Sequence, residues 1–147
     1  MVIGVTTNGE VLPVSVDWED CLKEHEDITE FIGNDCTTYE VVRPRRLYTD
    51  LNHSDSHYHN VVVVMLVDEE GLCKSNVYNL IGSYLYKTNS LRNAIAGNVL
   101  FVGEERREDG LYLCDLPEKT FETLKIQLNV LVEEMKASFK KTMEDKR

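Results

Sequence analysis

The sequence has no two cysteines in C-x-x-C spacing, no apolar run near the roughly 20 residues of a membrane span, and no basic start followed by an apolar stretch. Its longest apolar run is Val61 to Val67. Neither a spanning helix nor a secretory leader is expected, and a cytosolic protein is. Cys21, Cys36, Cys73 and Cys114 lie far apart in stretches that read as helix or strand, and are expected as buried free thiols rather than disulfides or zinc ligands. There is no P-loop, no G-x-G-x-x-G after a strand, and no serine or cysteine in a glycine-flanked elbow. A non-enzymatic protein with no catalytic residue and no cofactor is therefore expected.

Bases are also scarce. Against 26 Asp and Glu stand 16 Lys and Arg, a formal charge of -10. That field repels phosphates over a Debye length of about 8 Å in physiological salt, which excludes a general DNA or RNA binder. No internal repeat and no low-complexity linker divides the 147 residues. With 42% hydrophobic content, one domain over 1–147 is expected, burying about two-thirds of its unfolded surface.

Val2 to Thr6 and Val11 to Val16 are β-prone and flank Asn8-Gly9, a pair suited to positive φ, so the chain opens as a hairpin. From Asp17 to Ile32 the apolar period becomes helical, with Trp18, Cys21, Leu22, His25, Ile28, Thr29 and Ile32 on one side. Ser15 or Asp17 is a suitable cap and Gly33-Asn34 a suitable end. The other side carries Glu19, Asp20, Glu24, Glu26, Asp27 and Glu30, with Lys23 the only base among them.

A strand near Cys36 to Arg43 ends at Pro44, and a polar segment of about 45–60 follows without a sustained period. Val61 to Val67 has the continuous apolar character of a central strand covered on both faces, and Asp68 to Gly71 turns it. Asn76 and Asn89-Ser90 are candidate helix starts, with Ser83 to Tyr86 extended between them. Asn98 to Val102 and Leu111 to Leu116 pair as a hairpin across a charged loop, Glu104 to Gly110. Pro117 then opens a helix to about Lys141, with Phe121, Leu124, Leu128, Leu131, Met135 and Phe139 facing the core and Ile126, Val130 and Ala137 opposite. The expected class is α+β: a mainly antiparallel sheet with an N-terminal hairpin, one short acidic helix, and a long C-terminal helix packed on the sheet.

Three side-chain groups carry possible chemistry. His53, His57 and His59, near Asp50 and Asp55, are zinc-type donors, but their spacing matches no helical or finger motif, and a solvated polar loop without metal is expected. His25 on its helix is expected to pack. Arg43, Arg45, Arg46 and Arg92 offer bidentate donors for a phosphate or carboxylate, or act as internal counter-charges. The acidic helix face is either a solvated surface or a row of carboxylates imitating a phosphate backbone.

The order of elements resembles a small family of unknown function. The resemblance rests on Phe31-Ile32-Gly33, Tyr39 to Val42, Val61 to Gly71 with its Asp-Glu-Glu-Gly turn, and Ile95 to Gly103, and it covers most of Met1 to Leu124. Such proteins occur in phages, plasmids and integrated elements of bacteria. The resemblance implies a mobile-element accessory protein and supplies no catalytic residues. Joined to the acidic face, it leads to an expected function: binding and inhibition of a host nucleic-acid-handling defence complex, of anti-CRISPR or anti-restriction type, through Glu19, Asp20, Glu24, Glu26, Asp27 and Glu30. The expected partner is a host protein or ribonucleoprotein, with no direct nucleic acid and no membrane. The second apolar stripe of the last helix points to a homodimer. The alternative reading is a small anionic-ligand or nucleotide-binding domain that uses the four arginines.

Overall fold

Val62–Asp68 is buried at all seven positions, as a strand with no wet face must be when it lies inside a sheet. The computed structural model describes residues 1–33, 35–74, 77–86 and 94–145. In chain order the elements are β1 (Val2–Val5), β2 (Val11–Val14), α1 (Cys21–Ile32), β3 (Tyr39–Val42), α2 (Arg45–Thr49), β4 (Val62–Asp68), α3 (Gly71–Lys74), α4 (Leu80–Tyr86), β5 (Val99–Arg107), β6 (Gly110–Cys114) and α5 (Glu118–Asp145). The six strands form one antiparallel sheet, five of them in the order β2-β1-β5-β4-β3 and the sixth, β6, paired with β5. The nine-residue β5 pairs along its other edge with two strands in succession, β1 at Val99 to Phe101 and β6 at Gly103 to Arg107. The protein is therefore α+β, with the N-terminal hairpin and long C-terminal helix expected from the sequence.

Strand alternation divides the core in two. Val63, Met65 and Val67 join Val99, Phe101, Ile3 and Val5 on the face covered by Leu47 of α2, Ile81 and Leu85 of α4, and Leu124 and Leu128 of α5. Val62, Val64 and Leu66 join Leu100, Val102 and Val2 on the other face, which Ile28 and Ile32 of α1 cover. The acidic helix and the long helix thus lie on opposite sides of one sheet.

Several boundaries differ from the sequence expectation. Of the Asn8-Gly9 pair only Gly9 takes positive φ, 81°, because the connection is a longer turn in which the Gly9 N–H donates to Thr6 O and the Thr6 N–H to Glu10 O. The third strand is confined to Tyr39–Val42. The polar segment at 45–60 contains α2, which buries Leu47 completely. Ser83 to Tyr86 is helical rather than extended, because Asn79 starts α4: its Oδ1 accepts the Gly82 N–H at 2.9 Å. The charged loop at Glu104 to Gly110 is mostly strand, and only Glu108-Asp109 forms the turn between β5 and β6. The helix starts expected at Asn76 and Asn89-Ser90 lie outside the described residues.

The cysteines are free but not buried: Cys21 and Cys73 are exposed, and Cys36 and Cys114 are half-buried. Cys114 is still shielded enough for burial to push its thiol up to about 11. In α5 the Phe121 N–H donates to Pro117 O, and Leu124, Leu128 and Leu131 are buried as expected. Phe139 is 67% exposed, because it lines an open hollow beside Thr6 to Gly9 and Leu80 rather than the packed core.

Candidate functional site

Where α1 sits is decided at Gly4. A Cβ there would overlap the Phe31 ring, so the strand's lack of a side chain lets the helix settle directly on the sheet. Asn98 Nδ2 donates to Phe31 O at 3.1 Å and holds the same end. The helix begins at Cys21 rather than Asp17, and its cap is Asp20, whose Oδ1 accepts the N–H groups of Leu22 and Lys23. Neither Ser15 nor Asp17 caps it. At the other end the Gly33 N–H donates to Thr29 O, and Asn34 lies outside the described residues.

Only part of the expected apolar stripe faces the sheet. Ile28 and Ile32 are buried, whereas Cys21 and His25 are exposed and Leu22 is 84% exposed. His25 makes a surface ring contact with Tyr39, centroids 5.7 Å apart. The six acidic residues also separate by role. Asp20 is committed to the cap. Asp27 accepts the Asp17 N–H at 3.0 Å and pairs with Lys23 at 3.1 Å, and the backbone donor first, then Lys23, lowers its carboxyl below the usual range. Glu24 turns toward the sheet, and burial raises it. Glu19, Glu26 and Glu30 remain exposed to solvent, around the protruding Leu22. Glu26 and Glu30 are one turn apart, about 6 Å along the axis.

Charge is unevenly distributed between the layers. Residues 15–40 hold nine acids and one base, Lys23, a net of -8 within a total of -10. The long helix, 118–145, holds six acids and five lysines. Apart from Glu40, whose strand partner Val67 faces the α5 side, the acids of residues 15–40 lie on α1 and the turns that flank it, a net of -7 over residues 15–39.

The arginines do not converge. Arg43 Nη2 donates to Glu104 Oε1 at 2.7 Å, Arg46 lies over the Tyr84 ring at 4.2 Å, Arg45 is exposed, and Arg92 lies outside the described residues. An anion arriving at Arg43 would meet the carboxylate of Glu104. Glu104 is 4% exposed, stands in a charged stretch whose composition points to a loop, and also lies 2.8 Å from His57 Nε2.

The histidine segment is a strap over the sheet. His53 Nε2 lies 2.7 Å from Gln127 Oε1, Gln127 Nε2 donates to Leu51 O, and Tyr48 OH donates to Val63 O at 2.6 Å. Burial pushes the Tyr48 phenol up to about 12. His59 takes φ 58° and lies against Tyr58 at the surface. The three histidines thus face three different neighbours, and among the described residues no three His, Cys, Asp or Glu side chains are grouped to hold a metal.

Compared with protein-family models, curated proteins and solved structures, the chain matches none. Among the described residues no helix is long and apolar enough to cross a membrane.

Proposed function

We propose that this is a non-enzymatic binding protein of bacterial mobile elements whose acidic α1 face occupies a basic, nucleic-acid-handling groove of a host defence complex. The observation that carries this reading is the net charge of -7 over residues 15–39, on α1 and the turns that flank it, where α1 covers one side of the sheet. A surface of that sign steers toward a basic groove and away from nucleic acid itself. Glu19, Glu26 and Glu30 supply the carboxylates that meet the partner, and Leu22 supplies an apolar contact among them. Asp20 and Asp27 are committed to holding the helix, and Glu24 is turned away from the exposed row. The anion-binding alternative loses ground because Arg43 and Arg46 are already engaged by Glu104 and Tyr84.

The test is made in a bacterial host carrying an active CRISPR or restriction system. Expression of the chain is expected to raise phage plating on that host and to leave plating on a host without the system unchanged. Glu19→Gln/Glu26→Gln/Glu30→Gln is expected to abolish the effect while accumulating to the same level. Equal rescue by the triple variant would remove α1 as the interface.

A further inference from the structure

The side of α5 that faces away from the sheet carries a charge pattern that reverses sign when the helix is read backwards. Ile126 is 65% exposed and Val130 50% exposed, one turn apart and opposite the buried Leu124 and Leu128. Seven residues before Ile126 stands Lys119, and seven after Ala137 stands Glu144. Glu122 lies four before Ile126, and Lys140 three after Ala137. All fall within about 80° of one another around the helix at 100° per residue. Lys119, Glu122, Lys140 and Glu144 are exposed, and none is in an ion pair among the described residues.

We propose that this face is the interface with a second copy of the chain, the two α5 helices lying antiparallel about a two-fold axis level with Leu131 and Val132. In that register Lys119 meets the second copy's Glu144, Glu122 meets its Lys140, and Ile126 meets its Ala137. Each contact occurs twice, as an isologous interface requires. A parallel pairing would set each charge against its own kind, so the pattern selects the antiparallel arrangement. The small Ala137 lets the backbones approach where Ile126 needs room.

Charge elsewhere favours the same geometry. The net -7 of residues 15–39 lies across the sheet, so pairing through α5 keeps the two acidic layers apart and leaves both exposed. A partner complex would then meet two identical acidic faces. Glu133 is the one unfavourable member of the seam, because the register sets it beside the second copy's Val130. The apolar area is small, so the association is weak and salt-sensitive.

The register is tested by sedimentation equilibrium of purified chain at ~100 µM and low salt, where the wild type is expected as a monomer–dimer mixture. Glu122→Lys alone and Lys140→Glu alone are each expected to weaken dimerisation by about tenfold, since each places two like pairs across the seam. Mixing the two variants is expected to restore dimers as heterodimers, because each chain then offers the charge the other lacks. Glu133→Ala is expected to tighten the wild-type dimer. Unchanged thermal melting in each variant keeps folding separate from association. A wild type that is monomeric under these conditions, or a mixture of the two variants no more dimeric than either alone, overturns the proposal.

Discussion

His57 Nε2 lies 2.8 Å from Glu104 Oε1, and the two residues are 47 positions apart in sequence. This contact fastens the histidine strap to the middle of β5, and Arg43 from the end of β3 completes it on the same oxygen. A carboxylate that is 4% exposed needs such donors, because burial without them would strip its hydration uncompensated.

Removing Glu104 is therefore expected to be worse than removing either cation. Glu104→Ala leaves Arg43 and His57 facing a void and is expected to cost about 3–5 kcal/mol, against about 1 kcal/mol for Arg43→Ala, whose side chain is half in water. Urea unfolding of both variants checks the order. Equal losses would mean that the cluster is no more than a surface ion pair.

Asn79 is expected to be the most sensitive uncharged polar position. It is fully buried, its Nδ2 donates to Val5 O and Gly97 O, and its Oδ1 takes the Gly82 N–H, so one amide joins β1, the approach to β5 and the first turn of α4. Asn79→Ala is expected to cost about 2–4 kcal/mol, because two carbonyls and a helix N–H lose their partner together. Asn79→Asp is expected to cost more, since a carboxylate cannot donate to the two carbonyls. A melting temperature within a degree or two of wild type for Asn79→Ala would show that water replaces the amide freely.

Elements defined by local pattern were legible and those defined by distant partners were not. Val61 to Val67 announced a central strand because both faces of it are dry. The core stripe of α5 was readable because its spacing holds through Met135. By contrast, Leu22 and Ile28 are alike in hydropathy, and only the seating of Phe31 on Gly4 decides that one is 84% exposed and the other buried. Glu104 reads as loop because it opens a run of six charged residues after Gly103. Asp109-Gly110 is a strong hairpin signal, and the pairing of Arg107 with Gly110 beside it carries β5 through the charged run. Of the partners of Asn79, only Gly82 is local; Val5 O and Gly97 O lie 74 and 18 positions away, and nothing near Asn79 in the sequence points to them.

Within α1, stability and binding are expected to separate. Asp20→Ala removes the cap and is expected to cost about 1 kcal/mol. Glu19→Gln/Glu26→Gln/Glu30→Gln is expected to leave the melting temperature unchanged or slightly higher, because repulsion within the acidic layer is relieved. Differential scanning calorimetry at low salt distinguishes the two. A large loss in the triple variant would mean that these carboxylates hold the fold.

Asp27 links the helix to pH. Its folded carboxyl lies below its unfolded value, owing first to the Asp17 N–H and then to Lys23, so its stabilising effect is complete above about pH 4 to 5 and fades as pH falls through the lowered value. The stability gap between wild type and Asp27→Asn is accordingly expected to be constant at neutral pH and to narrow toward pH 3. Denaturant titrations across that window read it directly, and a gap that widens on acidification would reverse the assignment.

The acidic-groove reading turns on how fast the chain finds its partner as salt rises. Association with the host defence complex, measured by stopped flow, is expected to slow by about tenfold or more between ~50 and ~300 mM salt for wild type, with dissociation changing much less. Glu19→Gln/Glu26→Gln/Glu30→Gln is expected to start slower and to respond less to salt. Wild-type and triple-variant association rates that agree at every salt concentration would contradict the account and remove the α1 face from the encounter.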